Sequence, residues 1–232
     1  MSRRRPSFLL AALILLPACA AHDELPAGSG RGLVSWDRQP PAGAETFARP
    51  EWTVGDRFVY RRGDEIRAAF RVDAIDENGI RLVEEESGLF EFLDRDLGER
   101  GQDMPGLPKA RRVFDPADSG YSWPLWVGKR WTCHYLSKRP GQKQPLPLLV
   151  RYECDAVEEV TVPAGTFRCL RIWRRARVAA KGSFKERTSL SWYSPEVGWF
   201  VRRLNADELT ELVEVHRQGP AAGAAPDPDP GN

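Results

Sequence analysis

The chain has 232 residues, with 34 Lys and Arg against 33 Asp and Glu, a formal net charge of +1 and 41% hydrophobic residues. Together with a mean hydropathy of −0.48, this is the composition of a soluble globular domain and excludes a polytopic membrane protein. The near-neutral charge gives no bulk attraction to nucleic acid, so nucleic acid is not an expected partner.

The first residues specify an address. Arg3, Arg4 and Arg5 form a basic region, and the apolar run from Phe8 to Leu16 is far shorter than the ~20 residues a spanning helix needs. Residues 1–18 therefore read as a signal peptide. Leu16-Pro17-Ala18-Cys19 resembles the bacterial lipobox, which implies cleavage before Cys19 and acylation of that residue. Pro17 is an unusual residue there, and a plain secretory signal ending at Ala18-Cys19-Ala20 is the alternative. Each CH₂ of an acyl chain contributes ~0.8 kcal/mol of membrane burial, so Cys19 would be a stable lipid attachment site. Ala20, in place of Asp, implies the outer membrane, with the protein facing the periplasm. Cleavage leaves 232 − 18 = 214 residues with 31 basic against 33 acidic side chains, a net −2.

Residues 19–50, with four Gly and four Pro among residues 20–50, read as a flexible tether, and residues 219–232 (GPAAGAAPDPDPGN) as a disordered tail, because neither has enough buryable surface to offset the entropy of ordering. Between them, residues 51–218 form one domain.

That domain reads as all-β. Segments rich in Val, Ile, Phe, Tyr, Trp and Thr recur between turn signals, without a helical period. The predicted strands are 57–62, 66–76, 79–86, 88–94, 129–137, 148–162, 167–178, 184–193, 198–204 and 208–216. Asp76-Glu77-Asn78-Gly79, Pro163-Ala164-Gly165-Thr166 and Ser194-Pro195-Glu196-Val197-Gly198 supply the turn chemistry of tight hairpins. Short connections make consecutive strands antiparallel neighbours, so an antiparallel meander of about ten strands is expected, curving into an open barrel, a half-barrel or a sandwich. The chain also repeats itself. Val54-Gly55-Asp56-Arg57-Phe58 matches Val127-Gly128-Lys129-Arg130-Trp131, and Val72-Asp73-Ala74-Ile75 matches Cys154-Asp155-Ala156-Val157, in the same order, suggesting a duplicated strand unit.

Residues 159–167 (EVTVPAGTF), 192–199 (WYSPEVGW) and 210–213 together resemble a group of exported bacterial envelope proteins of unknown function. The resemblance covers about residues 126–215. It implies an antiparallel β fold in the periplasm and brings no activity with it.

Three cysteines follow Cys19, and an oxidising compartment favours a pair. In a hairpin of strands 129–137 and 148–162 centred at 143.5, Cys133 faces Cys154 within disulfide range. Cys154 with Cys169 is the alternative, and absence of a disulfide stays open.

No nucleophile elbow, phosphate loop or metal-ligand spacing is present. His134 and His216 lie on strands without ligand neighbours, so no metal and no cofactor is expected, and a run such as Glu84-Glu85-Glu86 is more often a solvated strand face. The domain is thus expected not to be an enzyme and, with nothing that calls for an oligomer, to be a monomer. Two features invite a binding role. Arg168, Arg174, Arg175, Arg177, Lys181, Lys185 and Arg187 crowd one hairpin, as an anion-binding patch or as a solvated hairpin. Alternation separates Arg168 and Arg174 from Arg175 and Arg177. Trp131, Trp173, Trp192 and Trp199 either fill the core or line an apolar groove for a lipid. The resulting expectation is a membrane-anchored lipoprotein whose domain binds an envelope ligand or protein partner. A carrier of hydrophobic molecules in a curved-sheet cavity is the alternative, and a hydrolase with an unrecognised site a third reading.

Overall fold

The computed structural model describes residues 32–63, 66–179 and 185–219. Among these, thirteen strands account for nearly all regular structure: β1 (Gly32–Ser35), β2 (Arg57–Arg62), β3 (Ile66–Asp76), β4 (Gly79–Glu84), β5 (Phe90–Leu93), β6 (Glu99–Asp103), β7 (Arg112–Asp118), β8 (Arg130–Lys138), β9 (Leu146–Val162), β10 (Gly165–Val178), β11 (Glu186–Ser194), β12 (Trp199–Asn205) and β13 (Glu208–His216). All pairings are antiparallel, and from β2 to β13 each strand pairs with the next. β13 then pairs with β2. The sheet is therefore a closed, 12-stranded up-and-down barrel with β1 as an extra strand on β8. The all-β antiparallel meander is as expected, but the barrel is closed where an open barrel or sandwich was one expectation. Two strands the sequence did not announce, β6 and β7, supply the missing wall, and closure removes every long free edge.

In such a meander the connections alternate between two ends. The β2–β3, β4–β5, β6–β7, β8–β9, β10–β11 and β12–β13 connections form one rim, the lip; the remainder form the base. The base is plugged. Phe47 and Leu125 exchange backbone hydrogen bonds of 2.8 and 2.9 Å, and Trp52, whose indole donates to the Gly198 carbonyl at 3.0 Å, packs between Phe58 and Trp199. Residues 32–50 were expected to be flexible tether, yet β1 and the buried Phe47 (3% exposed) belong to the barrel. Residues 1–31 with Cys19, residues 220–232 and Lys181 lie outside the described residues.

Twelve strands enclose more than small side chains fill, and the inward positions carry large ones: Phe58, Tyr60, Leu82, Trp131, Tyr193 and Leu212, all at most 1% exposed. The wall repeats. Gly55 N–H donates to Val72 O (2.9 Å) and Val72 N–H to Asp56 O (2.8 Å); Gly128 N–H donates to Cys154 O (2.7 Å) and Cys154 N–H to Lys129 O (2.9 Å). A bulge follows each, at Asp73 opposite β4 and at Asp155 opposite β10, and each bulged aspartate accepts from an arginine of the next strand, Arg81 or Arg171. A second pair of bulges falls between β5 and β6 and between β11 and β12. β2–β7 and β8–β13 are thus two structurally corresponding six-stranded units.

The expected disulfide is absent. β9 begins pairing at Leu146 opposite Ser137, which centres the hairpin at (137 + 146)/2 = 141.5, so Cys133 faces Val150. Cys154 lies four residues further along, ~13 Å at strand rise. Cys154 faces Ile172 and Cys169 faces Glu158, which removes the alternative pair too. All three are buried free thiols, pushed up to about 12 chiefly by burial, and so remain protonated and unreactive at neutral pH.

Candidate functional site: the charged lumen

Cross-strand register locates the inward charges. Leu82 is fully buried in the lumen and faces Glu91, which faces Gln102. Leu93 faces Glu99, which faces Asp118. On the opposite wall Tyr152 faces Arg174. These residues converge.

Asp118, 7% exposed, is the hub. Its Oδ1 accepts from Tyr152 OH at 2.7 Å, and its Oδ2 from Tyr135 OH at 2.9 Å and from Arg174 Nη2 at 2.9 Å. Arg174 also donates to Tyr152 OH at 3.2 Å and Tyr135 OH at 3.3 Å, so guanidinium, carboxylate and both phenols form one closed network. Burial opposes the charge of Arg174, and the oxygens of Tyr152, Asp118 and Tyr135 more than restore it. Burial, with Asp118 adding to it, raises the phenols of Tyr135 and Tyr152, keeping them as proton donors.

Glu99 lies beside this hub, and Glu91, Arg112 and Arg203 lie towards the lip, all half-buried. Burial, reinforced by Glu91 and Asp118 and opposed by Arg203 and Arg174, pushes Glu99 up to about 7. Burial likewise raises Glu91 against Arg203 and Arg62. Arg203 lies 3.9 Å from the Phe200 ring centroid, a close cation–π contact, and Arg112 lies 5.9 Å from that of Phe114. The lumen is thus aromatic towards the base and charged towards the lip. Acids and guanidinium groups held there by strands, with one carboxyl able to gain or lose a proton near neutrality, can bind polar groups of either sign.

The residues singled out in the sequence do not form one site. Arg174 points inward to Asp118, while Arg168 binds Glu45 through two hydrogen bonds near Phe47. Arg175 and Arg177 lie on the outer wall and Lys185 and Arg187 by the lip, so the anion patch is split. The tryptophan groove is split as well. Trp131 and Trp199 are buried inside, whereas Trp173 and Trp192 face outward and donate to Asp155 (2.6 Å) and Glu158. Two clefts mark the outside: one of about 410 Å³ lined by Arg57, Arg67, Glu84, Glu85, Glu86 and Glu214, and one of about 160 Å³ including Trp36, Arg130, Trp173 and Arg175. Glu99, Arg112 and Asp118 escaped sequence reasoning because β6 and β7 did; Tyr135 and Tyr152 were on predicted strands, with nothing to show that they meet.

No curated protein matches the chain. Solved structures similar to it include the hypothetical lipoprotein YmcC from Escherichia coli, with 9% identity, a TM-score of 0.47 and coverage of 79% of this chain and 92% of that one. A candidate lipoprotein from Parabacteroides distasonis shares 13% identity over 74% and 100%, with a TM-score of 0.41. A candidate exported protein of YmcC-like fold from Bacteroides fragilis shares 15% over 75% and 100%, with a TM-score of 0.39. In sequence, the chain is similar over residues 150–214, from within β9 to within β13, to the family described as DUF3108-like.

Proposed function

We propose that the chain is a lipoprotein of the bacterial envelope, anchored through Cys19 to the outer membrane and facing the periplasm, whose barrel works as a binding module and not as an enzyme. The observation that carries the binding role is the lumen, plugged by aromatics at the base and lined beyond them by Glu91, Glu99, Arg112, Arg174 and Arg203. Asp118 favours binding over catalysis, since its oxygens already accept three side-chain donors, leaving a poor general base. The ligand that fits is a small polar or zwitterionic envelope molecule, or the polar end of a larger one, entering by the lip. The inward aromatic packing disfavours a hydrophobic cargo in the barrel.

Two experiments test the two parts. Labelled palmitate is expected to enter the native chain and not Cys19→Ser; equal labelling of both would refute the anchor. A periplasmic small-molecule fraction is expected to raise the unfolding temperature of the native barrel, since a ligand at 100 times its Kd adds about 2.7 kcal/mol. It should not raise that of Glu91→Ala/Arg203→Ala; equal shifts in the two proteins would place binding outside the lumen.

A further inference from the structure

The outer wall of β8–β11 differs from the rest of the barrel surface. Register aligns Val34, Thr132, Arg151, Arg175 and Thr188 across β1, β8, β9, β10 and β11. The neighbouring row runs Arg130, Glu153, Trp173 and Leu190, with Trp36 just beyond β1. Trp36 is 52% exposed and joins Trp173, Arg130 and Arg175 in the 160 Å³ cleft; Leu33 and Val34 beside it are 44% and 42% exposed. Above this wall, at the lip, Arg139, Lys143, Lys185 and Arg187 are exposed. Asp37 pairs with Arg130 at 3.5 Å, Asp155 is held by Arg171 and Trp173, and Glu153 and Glu186 are the other nearby acids on the aligned strands, so cations dominate.

The path of the chain points the same way. β8 runs from base to lip and β1 is antiparallel to it, so β1 enters from the lip and Gly32 is the end nearest the cationic rim. Residues 20–31 separate Cys19 from Gly32, a reach of at most ~45 Å even fully extended. A weak surface held that close to a bilayer meets it at high effective concentration.

We propose that this wall and its rim dock on an anionic phospholipid leaflet, with Trp36 and its apolar neighbours entering the headgroup region and the Arg and Lys side chains meeting lipid phosphates. An indole beside arginines is the composition that favours a membrane–water interface, and guanidinium forks match phosphate. Docking sets the barrel's orientation, with the lip close to the bilayer where an envelope ligand would be handed over. The orientation rests on the lipoprotein reading; the affinity for anionic lipid does not.

The test uses the unacylated chain from residue 19 onward with Cys19→Ser, which keeps every strand. Sedimentation with phosphatidylethanolamine vesicles containing or lacking phosphatidylglycerol is expected to show binding to the anionic vesicles only, weakened by salt. Each cation near an anionic surface is worth about fivefold in affinity, so Arg175→Glu/Arg177→Glu/Lys185→Glu is expected to lose roughly 100-fold or more. Trp36→Ala is expected to lose several-fold, together with the blue shift in tryptophan emission. Arg95→Glu, at the base, is expected to bind as the native chain does, and unchanged circular dichroism checks folding of each variant. Equal binding to both vesicle types, or an Arg95→Glu loss matching that of the triple variant, would overturn the docking surface. Absence of palmitate on Cys19 in cells, with anionic binding intact, would instead refute the anchor and leave the lipid-binding surface standing.

Discussion

The barrel's two six-stranded units share a backbone and differ in what they do with it. Phe58, Phe70, Leu82 and Glu84 in β2–β4 occupy the places of Trp131, Tyr152, Ile172 and Arg174 in β8–β10. In the first unit Glu84 turns to its own hairpin and accepts the backbone N–H groups of Ala69, Glu86 and Ser87. In the second, Arg174 reaches across the lumen to Asp118, and Tyr152 adds the hydroxyl that Phe70 lacks. The latch residues differ in sign. Asp56, fully buried, holds Thr53, Arg217 and Gln218 beyond the end of β13, while Lys129, 2% exposed, donates to Ser122 and Pro124 beyond the end of β7 and sits 4.2 Å from the Trp126 ring centroid. Each unit thus latches the chain leaving the other, with opposite charges. Bulges and backbone hydrogen bonds therefore fix the fold, and the side chains at equivalent positions are free to diverge, so that one unit supplies Asp118 and the other the arginine and phenols that meet it.

The seams differ too. β13 covers β2 from Thr210 to His216, whereas β7 covers only Leu136–Lys138 of β8. Pro116, without an N–H, cannot extend that ladder, and β1 occupies the vacated edge opposite Trp131–His134. The segment leading to the proposed anchor is part of the wall.

Breaking the network that joins the two units should cost most. Asp118→Ala leaves the Arg174 charge buried without its carboxylate, an expected loss of ~3–5 kcal/mol in denaturant unfolding, whereas Glu84→Ala, which frees backbone donors by a turn, should cost ~1–2 kcal/mol. Equal losses would mean that the network across the lumen holds the barrel no more strongly than the Glu84 turn does. Replacing either latch should come next. Asp56→Ala and Lys129→Ala each strand buried partners and should cost ~2–3 kcal/mol, and pulse proteolysis should open residues 217–219 in the first variant and 119–126 in the second.

Glu99 sharpens the comparison through pH. Its folded value, about 7, lies above the ordinary carboxyl value of 4.5, so between these the folded chain holds a proton that the unfolded chain releases, and stability falls as pH rises through that window. Glu99→Gln removes the titration. Its stability relative to the native chain should rise from pH 4.5 to pH 7 by the order of 2 kcal/mol and then level off; a flat difference would place Glu99 in water. The smallest effect concerns the seam. Val34→Pro should cost ~1 kcal/mol and speed hydrogen exchange at residues 131–134 while leaving residues 58–62 unchanged.

Much of this architecture was legible where alternation is strong. The bounds of β2, β3 and β13 coincide with the predicted strands, and the two short repeats located the corresponding units because their Gly and Asp residues hold backbone positions. β6 (ERGQD) and β7 (RVFDPAD) lack β-branched runs and contain Gly101 and Pro116, residues that argue against a central strand. With them went Glu99, Arg112 and Asp118, and so the site. Arg174 was visible only as one arginine in a crowded run. Its separation from Arg175 and Arg177 follows from alternation, but which carboxylate it meets depends on barrel closure, a contact 56 residues away in sequence. The cysteine pairing failed on a four-residue shift in hairpin register, which no local signal fixed.

The most direct test of the binding account is native mass spectrometry of the chain from residue 19 onward, with Cys19→Ser, recovered from periplasm without detergent, beside Glu91→Ala/Arg203→Ala prepared identically. The account predicts a bound polar species on the native lumen that is lost from the double variant. A clean apo mass for both, or the same adduct on both, would contradict it.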